Sequence, residues 1–328
     1  MRPFEYERPE DPAGAVATMV KPGSTYLAGG TNLVDLMKLG VATPDRLVDV
    51  GGLPYRDVET FDGGGVRIGA LVSNTDLARH PVVAAAYPAV AEAVLAGASG
   101  QLRNRATVGG NLLQRTRCRY FQDVTKACNK RDPGSGCDAR AGEHHDLAIL
   151  GASEQCIATN PSDLAVALSM VDASVQYLGP HGPAAISVHD LYRRPGDRPD
   201  LDTNLPPGSL ITGVVLPDCP LATGSRYRKV RDRASFAFAA GSIAAAVDVR
   251  DGVVHDVRIA WGAVAHLPWR AWAAERALRG APATAESFAA AADAELAGAK
   301  PLRDNGYKIP LLRNLTVELL REMTEATP

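Results

Sequence analysis

The sequence has no long apolar run and no excess of charge of either sign. No window reaches the roughly 18 consecutive apolar residues of a membrane-spanning helix, so no membrane span is expected. Lysine and arginine number 35 against 37 aspartates and glutamates, a net charge of −2, which argues against a nucleic-acid or membrane-surface binder. Residues 1–12 hold no apolar stretch and are acidic where a signal peptide is basic. The sequence therefore predicts a cytoplasmic chain, or a periplasmic one if an exported partner carries it across a membrane.

Cysteine is scarce but unevenly placed. Five cysteines in 328 residues are too few for a disulfide scaffold. Four of them lie between positions 118 and 156, which is too clustered to be casual. The fifth, Cys219, lies at the end of a predicted strand and is interpreted as a packed thiol.

A set of catalytic side chains is also missing. The sequence shows no Ser-His-Asp arrangement, no H-E-x-x-H motif and no pair of acid–base carboxylates. His144 and His145 are adjacent in a charged stretch, and we interpret them as solvated side chains. Substrate catalysis is therefore not expected on this chain.

The length and the hydrophobic pattern predict two domains. At roughly 150 residues per domain, 328 residues correspond to about two. Short predicted strands and helices alternate up to residue 221. From residue 222, three predicted strands form a meander with a hairpin turn at Asp251-Gly252, and alanine-rich helices follow at about 270–298 and 309–324. The predicted domains are thus 1–221 and 222–328, the second of α+β type.

Two glycine pairs stand at turns that could hold a phosphate group. Ala28-Gly29-Gly30-Thr31-Asn32 follows a predicted strand and opens a predicted helix, and Thr107-Val108-Gly109-Gly110-Asn111 repeats the composition. Such turns expose successive backbone N–H groups at a helix N-terminus, and the missing Cβ lets a phosphate approach. The G-x-G-x-x-G spacing of a Rossmann fingerprint is absent. Taken together, the two pairs are explained equally well by a dinucleotide-binding site and by two tight turns without a ligand.

The four clustered cysteines lie in a stretch that needs something to order it. Residues 115–156 show little apolar periodicity, and the spacers between the cysteines are 9, 8 and 18 residues. A loop of this length is improbable in a compact domain unless something such as a metal orders it. Zinc usually needs C-x2–4-C pairs, and disulfides need an oxidising compartment, whereas an iron–sulfur cluster tolerates varied spacing. Seven basic against four acidic residues between 115 and 145 suit an anionic cluster, although a solvated loop also explains them.

Several segments, taken in order, resemble one known family. Ala28 to Leu33, Thr107 to Leu112 and Asn160 to Leu164 resemble the FAD-binding subunit of the molybdenum hydroxylases, which include xanthine dehydrogenase and carbon monoxide dehydrogenase. The resemblance covers nearly the whole chain. Gln114 to Thr159, with the four cysteines, and Tyr227 to Ser235 resemble more narrowly the FAD subunits of bacterial periplasmic aldehyde oxidoreductases.

The resemblance implies a fold and a set of cofactor ligands. The fold is of the α+β class, with a vanillyl-alcohol-oxidase-type FAD-binding domain of two α/β subdomains before an α+β domain with a three-stranded meander and helices. A 4Fe-4S cluster would lie in the insertion 115–156, held by Cys118, Cys128, Cys137 and Cys156. From the residues alone, Asp163 is better explained as a helix N-terminal charge and Lys229 as a surface lysine on a strand. The implied FAD-binding residues are Tyr26, Leu27, Ala28, Gly29, Gly30, Thr31, Asn32, Leu33, Thr107, Val108, Gly109, Gly110, Asn111, Asp163, Ile211 and Lys229.

The resemblance also implies a function. The chain would be the FAD- and 4Fe-4S-containing electron-transfer subunit of a molybdenum-dependent aldehyde oxidoreductase. Its partners would be a large subunit, where a molybdenum cofactor hydroxylates the substrate, and a small subunit whose 2Fe-2S centres pass electrons to FAD. Two alternatives stay open: a standalone FAD oxidoreductase of the same superfamily, and a non-redox scaffold with a zinc-ordered loop.

Overall fold

The computed structural model describes residues 1–325, which form three β-sheets and a set of mostly short helices. The strands are β1 (Glu5–Glu7), β2 (Ser24–Leu27), β3 (Arg46–Asp49), β4 (Val58–Thr60), β5 (Val66–Gly69), β6 (Ser174–Gly179), β7 (Gly182–Ser187), β8 (Leu210–Leu216), β9 (Arg226–Val230), β10 (Gly241–Arg250), β11 (Val253–Gly262) and β12 (Trp269–Arg270). The helices are α1 (Pro12–Thr18), α2 (Leu33–Lys38), α3 (Asn74–Arg79), α4 (Pro81–Ala86), α5 (Pro88–Ala96), α6 (Gly100–Arg105), α7 (Val108–Leu112), α8 (Arg119–Gln122), α9 (Asp163–Met170), α10 (Val188–Leu191), α11 (Trp272–Leu278), α12 (Ala285–Leu296) and α13 (Lys308–Glu325). In this described part of the chain, no helix is both long and apolar enough to cross a membrane.

The first sheet precedes the cysteine stretch in sequence, and the second sheet has strands on both sides of that stretch. The first is parallel, in the order β1-β3-β2, and the second is antiparallel, in the order β4-β5-β8-β6-β7. One buried apolar core joins the second sheet to helices α3, α4, α5 and α9. Helix α9 is buried along its whole length from Leu164 to Met170, because it also packs against β10 and β11 of the third sheet. The first residue of this helix, Asp163, is thereby fixed between the sheets.

The third sheet has four antiparallel strands, in the order β12-β11-β10-β9, so the predicted three-stranded meander is one strand short. The missed strand, Trp269–Arg270, has two residues and directly follows Pro268, too little for an alternating pattern. The hairpin turn is confirmed, since Asp251 and Gly252 have φ values of +52° and +74°, as a two-residue type I′ turn requires. The stretch predicted as helical at 270–298 is two helices, α11 and α12, because Gly280 and Pro282 interrupt it.

A partly buried ionic network joins the second and third sheets. Asp172, just after α9, accepts contacts from Arg270 at 2.8 Å and Arg258 at 2.9 Å. The guanidinium of Arg270 also pairs with Glu275, which is fully buried. This network fixes the third sheet against α9 and so sets the position of β9 relative to Asp163.

Candidate functional site

The two glycine pairs lie next to each other. The first forms the turn between β2 and α2, where Gly30 has a φ of +77°, a conformation that favours glycine. A Cβ on Gly29 would lie 2.2 Å from the carbonyl oxygen of Arg105 at the end of α6, so the contact between the two loops requires glycine. The second pair lies in the first turn of α7, where Thr107 Oγ1 accepts a hydrogen bond from the Gly110 N–H.

Both glycine turns border one cavity of about 610 Å³, called here the central cavity. Pockets of about 300–1,000 Å³ are typical of small-molecule and cofactor sites. The walls are contributed by both turns, the segment before α9, strand β9 and the loop after β9, and include Thr31, Asn32, Gly110, Asn111, Asn160, Asp163, Lys229, Phe236 and Phe238.

The implied FAD-binding residues divide into two groups around this cavity. Those that line it directly are Thr31, Asn32, Gly110, Asn111, Asp163 and Lys229. Those that do not line it are Tyr26, Leu27, Ala28, Gly29, Gly30, Leu33, Thr107, Val108, Gly109 and Ile211. The second group lies behind the wall: the Tyr26 hydroxyl donates to the Gly208 carbonyl at 2.8 Å, and Ile211 lies beneath Gly109.

Within residues 1–325, four buried polar atoms on the wall have no hydrogen-bond partner. They are Asn32 Nδ2, Asn74 Oδ1, Arg117 Nε and Ser242 Oγ, and all four residues line the central cavity. Burial lowers the pKa of Arg117, although Asp35 opposes this. Buried polar groups are almost always paired, so these atoms mark where a polar ligand would bind. Sequence reasoning missed Asn74 and Arg117, because neither belongs to a motif; the position of Arg117 beside Cys118 was the one available signal.

A buried ion pair forms one end of the wall. Lys229 Nζ lies 2.7 Å from Asp163 Oδ2, and their side chains are 3% and 10% exposed. The Tyr227 hydroxyl donates to the other carboxylate oxygen at 2.5 Å, and burial together with Asp163 raises the pKa of Tyr227 well above 10.0. Lys229 is thus not a surface lysine, and both oxygens of Asp163 are engaged.

The four clustered cysteines converge on one small pocket, called here the cysteine pocket. Cys118, Cys128, Cys137 and Cys156 line a space of about 10 Å³, and all four are free thiols. Burial raises the pKa of Cys118 to about 11 and that of Cys156 to about 12, so both are neutral at pH 7. Within residues 1–325, no group of three or more His, Cys, Asp or Glu side chains is arranged to hold a metal ion. The fold thus brings the four thiols to one pocket without arranging them as a metal site, and Cys118 also lines the central cavity.

Side-chain hydrogen bonds order the stretch around these cysteines. Its regular structure, as predicted, is sparse: α8 and a single 3-10 turn at Asp138–Arg140. Asn129 Oδ1 accepts from the N–H groups of Gly134 and Gly136 at 3.1 and 2.8 Å. Arg131 donates to the carbonyl oxygens of Tyr120 and Phe121. Short-range backbone bonds add to these, such as that from the Asn129 N–H to the Gly136 carbonyl at 2.7 Å. The loop is thus held by its own polar side chains and local backbone bonds rather than by a sheet.

Three side chains outside the site were given simple roles by the sequence, and the structure tests each of them. His144 is 3% exposed, and its Nδ1 accepts a hydrogen bond from the Asp304 N–H at 3.2 Å, so the prediction of a solvated His144 is wrong. His145 is exposed and stacks on Tyr307. Cys219 is buried in the main apolar core, as a packed thiol should be.

Comparison with known proteins agrees with the geometry. Residues 2–219 match the family described as the FAD binding domain in molybdopterin dehydrogenase, and residues 225–326 match the CO dehydrogenase flavoprotein C-terminal domain. The aldehyde oxidoreductase FAD-binding subunit PaoB of Escherichia coli (strain K12) is 48% identical over 324 residues, covering 98% of both chains. The carbon monoxide dehydrogenase medium chain of Hydrogenophaga pseudoflava is 28% identical and covers 92% of this chain and 88% of the relative.

Solved structures show the same architecture. Quinoline 2-oxidoreductase from Pseudomonas putida 86 matches with a TM-score of 0.76 at 20% identity, over 99% of this chain and 98% of that one. Carbon monoxide dehydrogenase from Hydrogenophaga pseudoflava matches with a TM-score of 0.74 at 26% identity, over 97% and 96%. The predicted fold class is confirmed, apart from the number of strands in the third sheet. The chain therefore belongs to the FAD-binding flavoprotein subunits of the molybdopterin dehydrogenase, or molybdenum hydroxylase, family of oxidoreductases.

Proposed function

We propose that the central cavity binds FAD through the residues that the sequence indicates. Thr31, Asn32, Gly110 and Asn111 would contact the cofactor directly, with Asp163 and Lys229 at the other end of the wall. The remaining predicted residues, from Tyr26 to Leu33, from Thr107 to Gly109 and at Ile211, would support the turns. The observation that carries this assignment is the unpaired Asn32 Nδ2 beside Gly30, since a phosphate or ribityl oxygen would satisfy that donor.

A 4Fe-4S cluster held by Cys118, Cys128, Cys137 and Cys156 is the second part of the proposal. The donor set fits, because four free thiols from a loop with little regular structure line one pocket. The present space of about 10 Å³ means that cluster insertion must move the thiols apart. Four thiolate ligands would also tie together a loop that no sheet holds.

The chain would then serve as the electron-transfer subunit of an aldehyde oxidoreductase. The support is the 48% identity to a relative named as an aldehyde oxidoreductase FAD-binding subunit. FAD would supply the ability to accept single electrons and release them as a pair. This chain's residues bind the cofactors, whereas the substrate would react on a large molybdenum subunit that is linked through the 2Fe-2S centres of a small subunit. We also propose that the chain has two domains, 1–221 and 222–328. The proposed location is the cytoplasm, or the periplasm if a partner carries an export signal.

An anaerobic absorption spectrum of the purified chain, with iron and zinc analysis, tests the cofactors together. We expect flavin bands at about 450 nm and a broad iron–sulfur shoulder that is lost on reduction. Zinc without colour would contradict both assignments. Copurification of this chain with a larger and a smaller partner would show that it is a subunit and not a standalone flavoenzyme.

The substitution Cys128→Ser tests the cluster separately from FAD. We expect the iron to be lost while FAD stays largely bound, because Cys128 lines the cysteine pocket and not the central cavity. Cys219→Ser is the matched control, since Cys219 is equally buried but lies in the main apolar core. Unchanged iron in Cys128→Ser would refute the ligand assignment.

A further inference from the structure

A second cavity, called here the side cavity, lies beside the central cavity. Its volume is about 210 Å³. Gln114 and residues 159–161 line both cavities and form the wall between them. The other lining side chains include Lys130 of the cysteine loop, Arg193 and His266. Neither the glycine turns nor the FAD proposal accounts for this space.

His266 faces the side cavity without a partner. The residue is 9% exposed, and within residues 1–325 neither Nδ1 nor Nε2 has a hydrogen-bond partner. Burial lowers the pKa of His266 to about 3, so the ring is neutral at pH 7 and presents one N–H donor and one bare acceptor nitrogen. Buried polar atoms are almost always paired, and a neutral imidazole can turn its N–H toward a ligand that accepts a hydrogen bond.

The rest of the lining is rich in donors. Arg193 Nε is buried and also lacks a partner. Lys130 is 4% exposed and pairs with Asp202, which also takes the Arg115 Nε at 2.7 Å. Among the described residues that line this cavity, Asp202 is the single carboxylate, whereas Arg115, Lys130 and Arg193 are cationic. Arg115 and Lys130 already pair with Asp202. The balance of charge and of hydrogen bonds favours an anion.

We propose that the side cavity binds one inorganic phosphate ion between Arg193, Lys130 and His266. The oxygens of the ion would accept from Arg193, from Lys130 and from whichever His266 nitrogen carries the proton. The second ring nitrogen of His266 points away from the ion, so it takes no part in binding.

Calorimetric titration of potassium phosphate into the purified FAD-loaded protein tests this site, with ionic strength held constant by potassium chloride. The wild type should bind one phosphate per chain, and His266→Leu and Arg193→Met should each weaken binding by about tenfold or more. His266→Leu leaves every formal charge in place, so it separates a built site from general ionic attraction. His255→Leu and Arg250→Met are the controls, because both side chains are at least 60% exposed and lie outside the site.

Flavin absorbance of each sample reports that the protein is folded and that the central cavity is filled. Loss of FAD from the wild type would count against the proposed function, whereas the phosphate isotherm reports on the side cavity. If His266→Leu does not fold, Arg193→Met and His266→Gln answer the same question. The proposal is overturned if phosphate gives no binding heat beyond potassium chloride, or if both His266→Leu and Arg193→Met bind phosphate as the wild type does.

Discussion

The central cavity and the cysteine pocket share Cys118 but are built in different ways. The wall of the central cavity is made where regular elements meet, and backbone contacts such as that of Gly29 with Arg105 fix its shape. The cysteine pocket is made by a loop whose backbone is held by side chains such as Asn129 and Arg131. A cavity of the first kind exists before its cofactor binds, whereas under the proposed 4Fe-4S assignment a pocket of the second kind would depend on its ligand for much of its order. FAD content and iron content should therefore respond to different substitutions.

The largest effect is expected from Gly29→Ala. The added Cβ would lie 2.2 Å from a backbone oxygen, so the two glycine turns must move apart, and we expect nearly complete loss of FAD. Iron per folded chain should stay at the wild-type value, because the atoms that the added Cβ meets belong to Arg105 and Ala106 and not to the cysteine loop. Gly100→Ala is the control, since a Cβ there meets nothing within 4 Å. Absorbance and iron analysis of the same sample measure both contents, and retained FAD in Gly29→Ala would contradict the backbone account.

The next effect should come from the ion pair at the end of the central cavity. Asp163→Asn leaves the 3%-exposed Lys229 without its carboxylate, and breaking a buried pair costs about 3–5 kcal/mol. The double variant Asp163→Asn/Lys229→Met should recover part of that loss, because no unpaired charge remains buried. Urea unfolding of the FAD-loaded chain measures the free energies.

An exposed pair provides the scale for that measurement. Arg313 and Asp293 are 3.0 Å apart with side chains 40% and 54% exposed, so Asp293→Asn should cost no more than about 1 kcal/mol. Equal losses in Asp163→Asn and Asp293→Asn would show that burial does not strengthen the cavity pair.

The floor of the central cavity gives a pH-dependent prediction. Lys308 is fully buried, its Nζ donates to the Ala263 carbonyl at 2.6 Å, and Ala263 lines the cavity. Burial lowers the pKa of Lys308 from 10.5 to about 8, although Asp146 opposes this. Between these values the unfolded chain binds more protons than the folded one, so stability increases with pH. Burying the charged amine of Lys308 lowers the free energy of unfolding by about 3 kcal/mol. This full cost applies below pH 8, and it disappears as the pH approaches 10.5.

Comparison with Lys308→Met isolates this contribution. The variant should be more stable than the wild type at pH 7, and the difference should shrink from pH 8 to pH 10. Urea unfolding at each pH measures it, with Lys300→Met as the control, because Lys300 is exposed. A difference between Lys308→Met and wild type that does not change with pH would rule out titration of the buried amine.

The contrast between the two sites also explains what the sequence could predict. Local signals sufficed for the first turn, because a strand, two glycines and a helix are consecutive, and for Asp251-Gly252, because turn type depends on neighbouring residues. The side cavity was not predictable, because Arg193 and His266 are brought together only by the packing of the third sheet. The strand Trp269–Arg270 was missed because its place in the sheet depends on its partner, β11.

The smallest effect should be that of Asn129→Ala, which tests the cysteine loop without removing a thiol. The substitution deprives the N–H groups of Gly134 and Gly136 of their common acceptor. Because both groups are only partly buried, water can replace some of the lost hydrogen bonding. We expect a cost of about 1–2 kcal/mol in the free energy of unfolding. Iron should be lost faster than from wild type during dialysis against a chelator, because Asn129 lies next to Cys128, while FAD content stays the same. Thr125→Ala, an exposed change in the same loop, should leave the rate of iron loss unaltered. If Asn129→Ala released FAD as readily as iron, the two sites would share one source of order, and the distinction between a preformed cavity and a ligand-dependent pocket would be lost.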